Sequence, residues 1–378
     1  MFLNCHTYHS LRYGTISVEE LVDLAMDYKL KVLALTDINT VTGIYQFYKL
    51  CEDKGIKPIV GVDVRVENEQ YYICLAKNPK GIAEVNRLLT DYNCENIEIP
   101  KSNPQLENCF VIYTLQNKPD ILLEHEFIGI RQDELNLLIN SEFKSLTHKM
   151  VILHPVTFKT DDEYELHKIL RAIDGNILFT KLAEKDYCRK DEFKHYPEIV
   201  ENTKFIVSQC SFDFEFKTPK NKKYYTDSKE NDFKLLSQLA YEGLSHRYPD
   251  NNRQAIERAE KELTVIHQLN FCGYFLITWD IIQYSKRMGF MHVGRGSGAN
   301  SIIAYCLGIS DICPLELDLY FERFLNLNRK SPPDFDIDWS WKNRDTILEY
   351  IFDKYGKNHV AFCGTNVEFK RKSRFREL

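Results

Sequence analysis

The stretch PPDFDIDW, Pro332 to Trp339, sets Asp334, Asp336 and Asp338 in alternation with Phe335, Ile337 and Trp339. Successive side chains of a strand point to opposite faces, so this order predicts one face of three carboxylates and one of three large apolar groups. The apolar face reads as core. Carboxylates roughly 6–7 Å apart along a strand repel one another, and Asp is a poor strand former. Such a face calls for a positive partner, and divalent ions suit it. Two Mg2+ ions about 3.5–4 Å apart, held by carboxylates, can clamp the attacking and leaving oxygens of a phosphoryl transfer. The blander alternative is a solvated edge-strand face.

A second stretch, HVGRGSGANSIIAYCLG, lies about 40 residues earlier. Gly294, Gly296 and Gly298 surround Arg295 and Ser297, and Ile302, Ile303 and Ala304 predict a helix start. Glycines ahead of a helix let the backbone approach a ligand, and free N–H groups at the helix start receive an anion. Ser297 can donate its hydroxyl hydrogen, and Arg295 can grip a phosphate through two N–H groups. Alone, such a turn is usually a tight loop. No Gly-Lys-Ser/Thr follows at Walker A spacing and no GxGxxG follows a strand, which argues against a P-loop and a dinucleotide site. Paired with the acidic strand, however, the turn completes a nucleotidyl-transfer site: one half for a triphosphate, the other for metal. Between the two, Arg323, Arg329 and Lys330 are candidate phosphate partners and Asn326 a candidate donor, although isolated surface charges more often form weak ion pairs.

The elements that must position these residues fall into two regions. TISVEELVDLAMDYKL carries a capping box, Ser17 with Glu20, a staple of Ile16 on Leu21, and a helix face of Val18, Leu21, Val22 and Ala25. KVLALTD predicts a buried strand ending at Asp37, GIYQFYKLCEDKG a helix stopping at Gly55, and KPIVGVDV, YYICLA, CFVIYTL and MVILHP further strands. DDEYELHKILRAI is helical. Strands and helices in alternation predict parallel βα units, in a barrel or an open α/β sheet. The polar stretch FKTPKNKKYYTDSKENDF marks a boundary, after which FKLLSQLAYEGLSHRYP, NNRQAIERAEKELTVIHQL and the aromatic-rich FCGYFLITWDIIQYSKRMGF follow.

VGRGSGANSIIAYCLGISDICPLELDLYFERFLN followed by PDFDIDW resembles the palm of the bacterial replicative DNA polymerase III alpha subunits, the C-family DNA polymerases. GRGSG, FERFLN and PDxDxD occur in the family's order and at compatible spacing. LTDINTVTGIYQFYKLCEDKGIKPIVGVDV resembles the same family's PHP domain, a phosphoesterase-like barrel. The resemblance covers nearly the whole chain. It implies a PHP-type βα barrel over 1–220, a helical segment with an incomplete nucleotidyltransferase-like α+β palm over 221–366, and the start of a thumb over 367–378. It implies template-directed DNA synthesis, with Asp336 and Asp338 as catalytic ligands of two Mg2+ ions. Arg295, Gly296, Ser297 and Arg323 would sit at the dNTP triphosphate, and Asp334 would support. The family's third carboxylate lies further downstream, so the chain reads as an N-terminal piece that does not polymerise alone. Implied partners are primer–template DNA, dNTPs, a sliding clamp and other replisome subunits, with a proofreading exonuclease docked on the PHP domain.

The PHP pattern departs where its chemistry would lie. Metal-dependent members begin with alternating histidines; MFLNCHTYHS has Phe2 and Asn4 at the first two places and keeps His6. Asp37 remains while Ile38 replaces a histidine, Asp63 takes a glutamate's place, and HPVT leaves His154 shifted with Thr157 at a histidine place. His6, His9, Asp37, Asp63 and His154 therefore read as a degenerate site with no metal expected. A non-catalytic PHP scaffold is the second functional reading, and an independent PHP phosphoesterase the third.

Bulk properties agree with this picture. The 378 residues suffice for two or three domains, and 44% hydrophobic and 28% charged residues are ordinary for a globular protein. No apolar run reaches the ~18 residues of a membrane span, and no signal peptide is apparent. Eleven cysteines without a CxxC pair favour reduced thiols in a bacterial cytoplasm over disulfides or a zinc cluster. The net charge of −6 is uneven: residues 283–378 carry 15 Lys and Arg against 12 Asp and Glu, which allows an anionic partner near the C-terminus.

Overall fold

The computed structural model describes residues 2–139, 142–179, 192–215, 220–250, 252–329 and 331–364. They form two compact units, Met1–Lys217 and Thr218–Leu378. Lys330 and residues 365–378, where the thumb was expected to begin, lie outside the described residues.

The first unit runs through β1 (Asn4–Cys5), α1 (Val18–Asp27), β2 (Val32–Leu35), α2 (Ile44–Lys54), β3 (Lys57–Val66), β4 (Glu69–Ala76), α3 (Pro79–Glu95), β5 (Cys109–Thr114), β6 (Glu126–Ile130), β7 (Met150–Ile152), β8 (Pro155–Val156), α4 (Asp161–Asp174) and α5 (Pro197–Gln209). The capping box forms as expected: the Glu20 N–H donates to Ser17 Oγ at 3.1 Å and the Ser17 N–H to Glu20 Oε2 at 2.8 Å. Helix α2 ends at Gly55, whose φ of 66° is a left-handed cap.

Six strands pair in the order β2-β3-β4-β5-β6-β7. Strand β8 follows β7 closely and pairs in parallel with β1. Just past β2, the Thr36 N–H donates to the Cys5 carbonyl at 2.9 Å. The strand sequence thus turns back toward its start, the closure a βα barrel needs. Residues Ile59–Val64 and Gln70–Ala76 are buried without alternation, because both faces of the sheet are covered.

The expected parallel pairing holds for β2–β3, β5–β6 and β6–β7, whereas β3–β4 and β4–β5 are antiparallel. Only Glu67 and Asn68 separate β3 from β4, with Glu67 at φ 54°. Two residues can close a hairpin, while a parallel return needs about a dozen. Strand β2 also stops at Leu35, short of Asp37.

The second unit contains α6 (Lys229–Arg247), α7 (Arg253–Gln268), α8 (Cys272–Arg287), β9 (His292–Arg295), α9 (Ile302–Cys306), β10 (Asp336–Trp339) and α10 (Trp341–Tyr355). Leu236 and Ala240 of α6, Leu263 and Ile266 of α7, Phe275 and Leu276 of α8 and Ile302 and Ile303 of α9 form its core with Phe321 and Phe324. Phe275 packs edge-on to Phe324 and Phe335, with ring centroids 6.0 and 5.0 Å away. Strands β9 and β10 pair antiparallel. The acidic strand starts at Asp336, later than the expected Pro332, which leaves Asp334 outside the ladder. Arg295, the last residue of β9, pairs with Asp336, and Gly296 then turns away at φ 72°, so no residue of β9 stands opposite Asp334.

Among the described residues no helix is long and apolar enough to cross a membrane. The described cysteines are free thiols, most of them buried.

All three tryptophans, Trp279, Trp339 and Trp341, belong to the second unit, so indole fluorescence during urea unfolding reads that unit alone. Phe275→Ala is expected to lower the stability read this way by ~3–5 kcal/mol, because the ring is fully buried in the core.

Candidate active site

The β9–β10 ladder joins the two stretches that carry the chemistry. Asp336 stands opposite Arg295, Ile337 opposite Gly294, Asp338 opposite Val293 and Trp339 opposite His292. Opposite residues share a face, so Asp336, Asp338, Arg295 and Val293 line the exposed side. Ile337 and Trp339 turn inward and pack on the helical core, and the Trp339 Nε1–H donates to Ser285 Oγ of α8 at 2.8 Å. The Arg295 Nε–H donates to Asp338 Oδ2 at 2.7 Å, with 60% and 59% of the two side chains exposed.

Two glycines let the turn meet the acids. A Cβ on Gly296, already at φ 72°, would stand 2.5 Å from Asp336 Oδ2. A Cβ on Gly298 would stand 3.1 Å from Phe335 Cδ1. The carboxylate and the neighbouring ring occupy the space that side chains would need. Asp336 and Asp338 present oxygen donors only, on an open face where a cation, Arg295, is already drawn to one of them. That donor set fits Mg2+, which binds through one or two carboxylates plus waters and substrate phosphates.

The helix start after the turn differs from expectation. Helix α9 has five residues, and its leading amides are occupied: the Ala304 N–H donates to Ser301 Oγ at 3.2 Å and the Ile303 N–H to Glu262 Oε2 at 3.4 Å. The anion seated there is the protein's own. Glu262 is fully buried, accepts from the Ser301 hydroxyl at 2.7 Å and pairs with Arg258 at 2.7 Å. Arg258 also donates to the carbonyls of Asn300 and Leu319. Burial raises the Glu262 carboxyl despite these partners. This network braces the end of the turn. Ser297 itself is half-buried, and its hydroxyl has no protein partner among the described residues.

The segment between the motifs divides by role. Arg323 is exposed on a short 3-10 turn whose Phe321 is buried. Arg329, a candidate phosphate partner, is instead a loop brace, donating to the carbonyls of Phe324 at 2.6 Å, Ser331 at 3.1 Å and Pro332 at 3.1 Å. It also lies 3.8 Å from Asp334. Asn326 likewise serves its own turn, accepting from the Asn328 N–H at 3.1 Å.

In the first unit, Asp63 is fully buried on β3, and its Oδ2 accepts from His6 Nε2 at 2.9 Å, Arg65 Nε at 3.1 Å, Arg65 Nη2 at 2.7 Å and Gln70 Nε2 at 2.8 Å. Its Oδ1 is buried with no protein donor among the described residues. Burial alone would raise the Asp63 carboxyl, but the Arg65 charge and the His6 hydrogen bond hold it well below the usual carboxylate range. A carboxylate only accepts, so His6 Nε2 carries its hydrogen and has no lone pair for a metal. Thr157 answers at His6 Nδ1, 3.0 Å away. Asp37 accepts from the Thr7 N–H, the Thr7 hydroxyl and the Ser10 hydroxyl at 2.6–2.8 Å. A Cβ on Gly43 would meet both His9 Cδ2 and Asp37 Oδ2, so these two side chains converge. His154 instead packs on Phe2, ring centroids 5.5 Å apart, and lines a cavity together with Tyr13 and Thr157. Among the described residues no three His, Cys, Asp or Glu side chains are placed to share a metal ion. The pocket does not fit one.

Residues 3–153 match the PHP domain family, and residues 234–378 match the family described as the bacterial DNA polymerase III alpha NTPase domain. The chain is 30% identical over 399 residues to a DNA polymerase III subunit alpha of Ureaplasma parvum, a match covering 100% of this chain and 38% of that one. It is 28% identical over 440 residues to an error-prone DNA polymerase of Symbiobacterium thermophilum, covering 100% and 40%. The chain belongs to the DNA polymerase III alpha family. It spans about two-fifths of the length of these relatives. The PHP match accords with the returning strand order of the first unit.

One feature of the second unit escaped the sequence reading. Asp280 on α8 accepts from the hydroxyls of Tyr225 at 3.3 Å, Tyr350 at 2.9 Å and Tyr355 at 3.0 Å, and pairs with Lys354 at 2.5 Å. Tyr284 of α8 stacks on Tyr350, centroids 3.8 Å apart. Helix α10, which follows the acidic strand directly, is thereby fastened to the helix whose Ser285 holds Trp339. Burial would raise the Asp280 carboxyl, but hydrogen bonds from Lys354, Tyr350 and Tyr355 bring it below its ordinary value. A carboxyl depressed in the folded state contributes stability that is complete above pH ~4 and lost as pH falls further. Urea unfolding followed by indole fluorescence should show this loss, and Asp280→Asn should flatten that part of the curve while costing ~1–3 kcal/mol at neutral pH.

Proposed function

We propose that the second unit is part of the nucleotidyl-transfer centre of a template-directed DNA polymerase, acting on a primer 3′-hydroxyl and a dNTP, with pyrophosphate leaving. The observation that carries this reading is the β9–β10 register, which lays Asp336 and Asp338 on one open face against the Gly296 turn. Asp336 and Asp338 would hold Mg2+, which when bound neutralises phosphate charge and favours the ionised attacking hydroxyl. Ser297 has a hydroxyl free to donate to a phosphate oxygen. Arg295 can leave Asp338 for the triphosphate at little cost, because an exposed ion pair is worth only ~0–1 kcal/mol. Arg323 adds exposed positive charge, and Asp334 keeps the supporting role of its motif. We assign 1–220 to the PHP domain, 221–366 to the palm and 367 onward to the thumb. Primer–template DNA, a sliding clamp and other replisome subunits are the partners proposed for the longer protein, in a bacterial cytoplasm.

A second reading concerns the first unit alone: a non-catalytic PHP scaffold that docks a partner such as a proofreading exonuclease. The four donors converging on Asp63 favour it over a phosphoesterase, which would need His6 and Asp63 free to bind a metal.

Calorimetric titration tests the palm. Asp336→Ala should weaken Mg2+-dependent dNTP binding by at least ~10–100-fold, and unchanged binding refutes the assignment. Arg295→Ala should act with opposite signs, tightening Mg2+ binding in the absence of nucleotide by releasing Asp338 and weakening dNTP binding in its presence. A variant that weakens both would leave Arg295 no exchanging role.

A further inference from the structure

We infer that Arg65 is the resident cation of the PHP-domain pocket, its guanidinium supplying to Asp63 the positive charge that a metal ion would otherwise bring. This inference does not depend on the polymerase reading of the second unit.

The geometry is that of a built site. Asp63 and Arg65 lie two apart on β3, hence on one face of the strand. The β3–β4 register shifts between Val64 and Arg65, and Arg65 thereafter pairs with Gln70. Irregularities of this kind re-aim side chains, and here the two paired residues both donate to Asp63 Oδ2. Outer groups hold the donors in turn. The Tyr13 ring lies under the Arg65 guanidinium at 4.5 Å, and Arg131 Nη2 donates to Gln70 Oε1 at 2.7 Å. Asn39 fixes the strand beside it, accepting from the Arg65 N–H at 2.9 Å and donating to the Arg65 carbonyl at 2.7 Å.

Charge decides between guanidinium and metal. The Asp63 and Arg65 side chains are 0% and 12% exposed, so each needs the other. A buried carboxylate stripped of its partner is strongly destabilising, and Asp63 Oδ2 is already occupied by Arg65, His6 and Gln70. A divalent ion would also face Arg65 at contact distance and find the His6 lone pair taken. Arg65 removes the pocket's dependence on metal by covalently supplying the charge.

Amide hydrogen exchange on the whole chain tests this. The β3 and β4 amides of the wild type should exchange at the same rate with EDTA, Mn2+ or Zn2+. Arg65→Ala should speed them by roughly 100-fold or more while leaving α6–α8 unchanged. Millimolar guanidinium should restore protection to that variant, whereas urea, its neutral isostere, should not. Slower wild-type exchange in Mn2+ or Zn2+, faster exchange in EDTA, a variant exchanging like wild type, or rescue by urea equal to that by guanidinium would each overturn the inference. Should Arg65→Ala fail to fold, Arg65→Lys decides: intermediate protection, unaltered by metal, supports a charge requirement, and protection restored only by Mn2+ or Zn2+ refutes it.

Discussion

A four-residue strand can show carboxylates to solvent only if its other side is held firmly. In β10 that side is Ile337 and Trp339, with Phe335 just before them, all packed against the helical core. Trp339 is hydrogen-bonded to Ser285 and the strand's continuation is fastened through Asp280, so α8 sets both the acids and the helix that follows. Phe335 lies under Gly298 as well, which makes one ring a common floor for the turn and the strand. The polar face is therefore the exposed side of an element whose apolar side does the holding. Two like charges can be kept there because the packing beneath them is stronger than their repulsion.

The chain uses the same pair, arginine with aspartate, in two opposite ways. Arg65 and Asp63 are nearly sealed from water, and separating them would strand two charges in a medium of low polarity. Arg295 and Asp338 are mostly in water, and separating them strands nothing. Burial, not chemistry, makes one a strut and the other a clasp. Glu262 with Arg258 belongs with the strut: it fills the place at the α9 start that an external anion would otherwise occupy, and so confines any phosphate to the glycine turn ahead of it.

Local patterns were the most legible part of the sequence. The Ser17–Glu20 box, the Gly55 stop and the apolar runs all act over a few residues, and they appear as read. The convergence of GRGSG with DxD was legible too, because the two motifs together have few other uses, although each alone has many. Pairing direction was not, since Glu67-Asn68 lacks the glycine that usually announces a hairpin, and helical spacing elsewhere favoured parallel strands. Arg65 was within reach, because an Asp and an Arg two apart on a strand share a face. Asp280 could not have been found, because its tyrosines lie 55 to 75 residues away and no periodicity connects them. The exposed course of Arg323 and the bracing use of Arg329 likewise depend on tertiary packing that spacing does not encode.

Alternation also makes the acidic strand a two-position device. Sliding β10 by one residue along β9 would carry Asp336 and Asp338 into the phenylalanine cluster and throw Ile337 and Trp339 outward. No intermediate alignment exists, because the pleat offers only two sides. Errors in this part of the chain are thus filtered during folding: a molecule either presents both acids beside the glycine turn or fails to assemble its core, and a population of half-correct centres cannot accumulate.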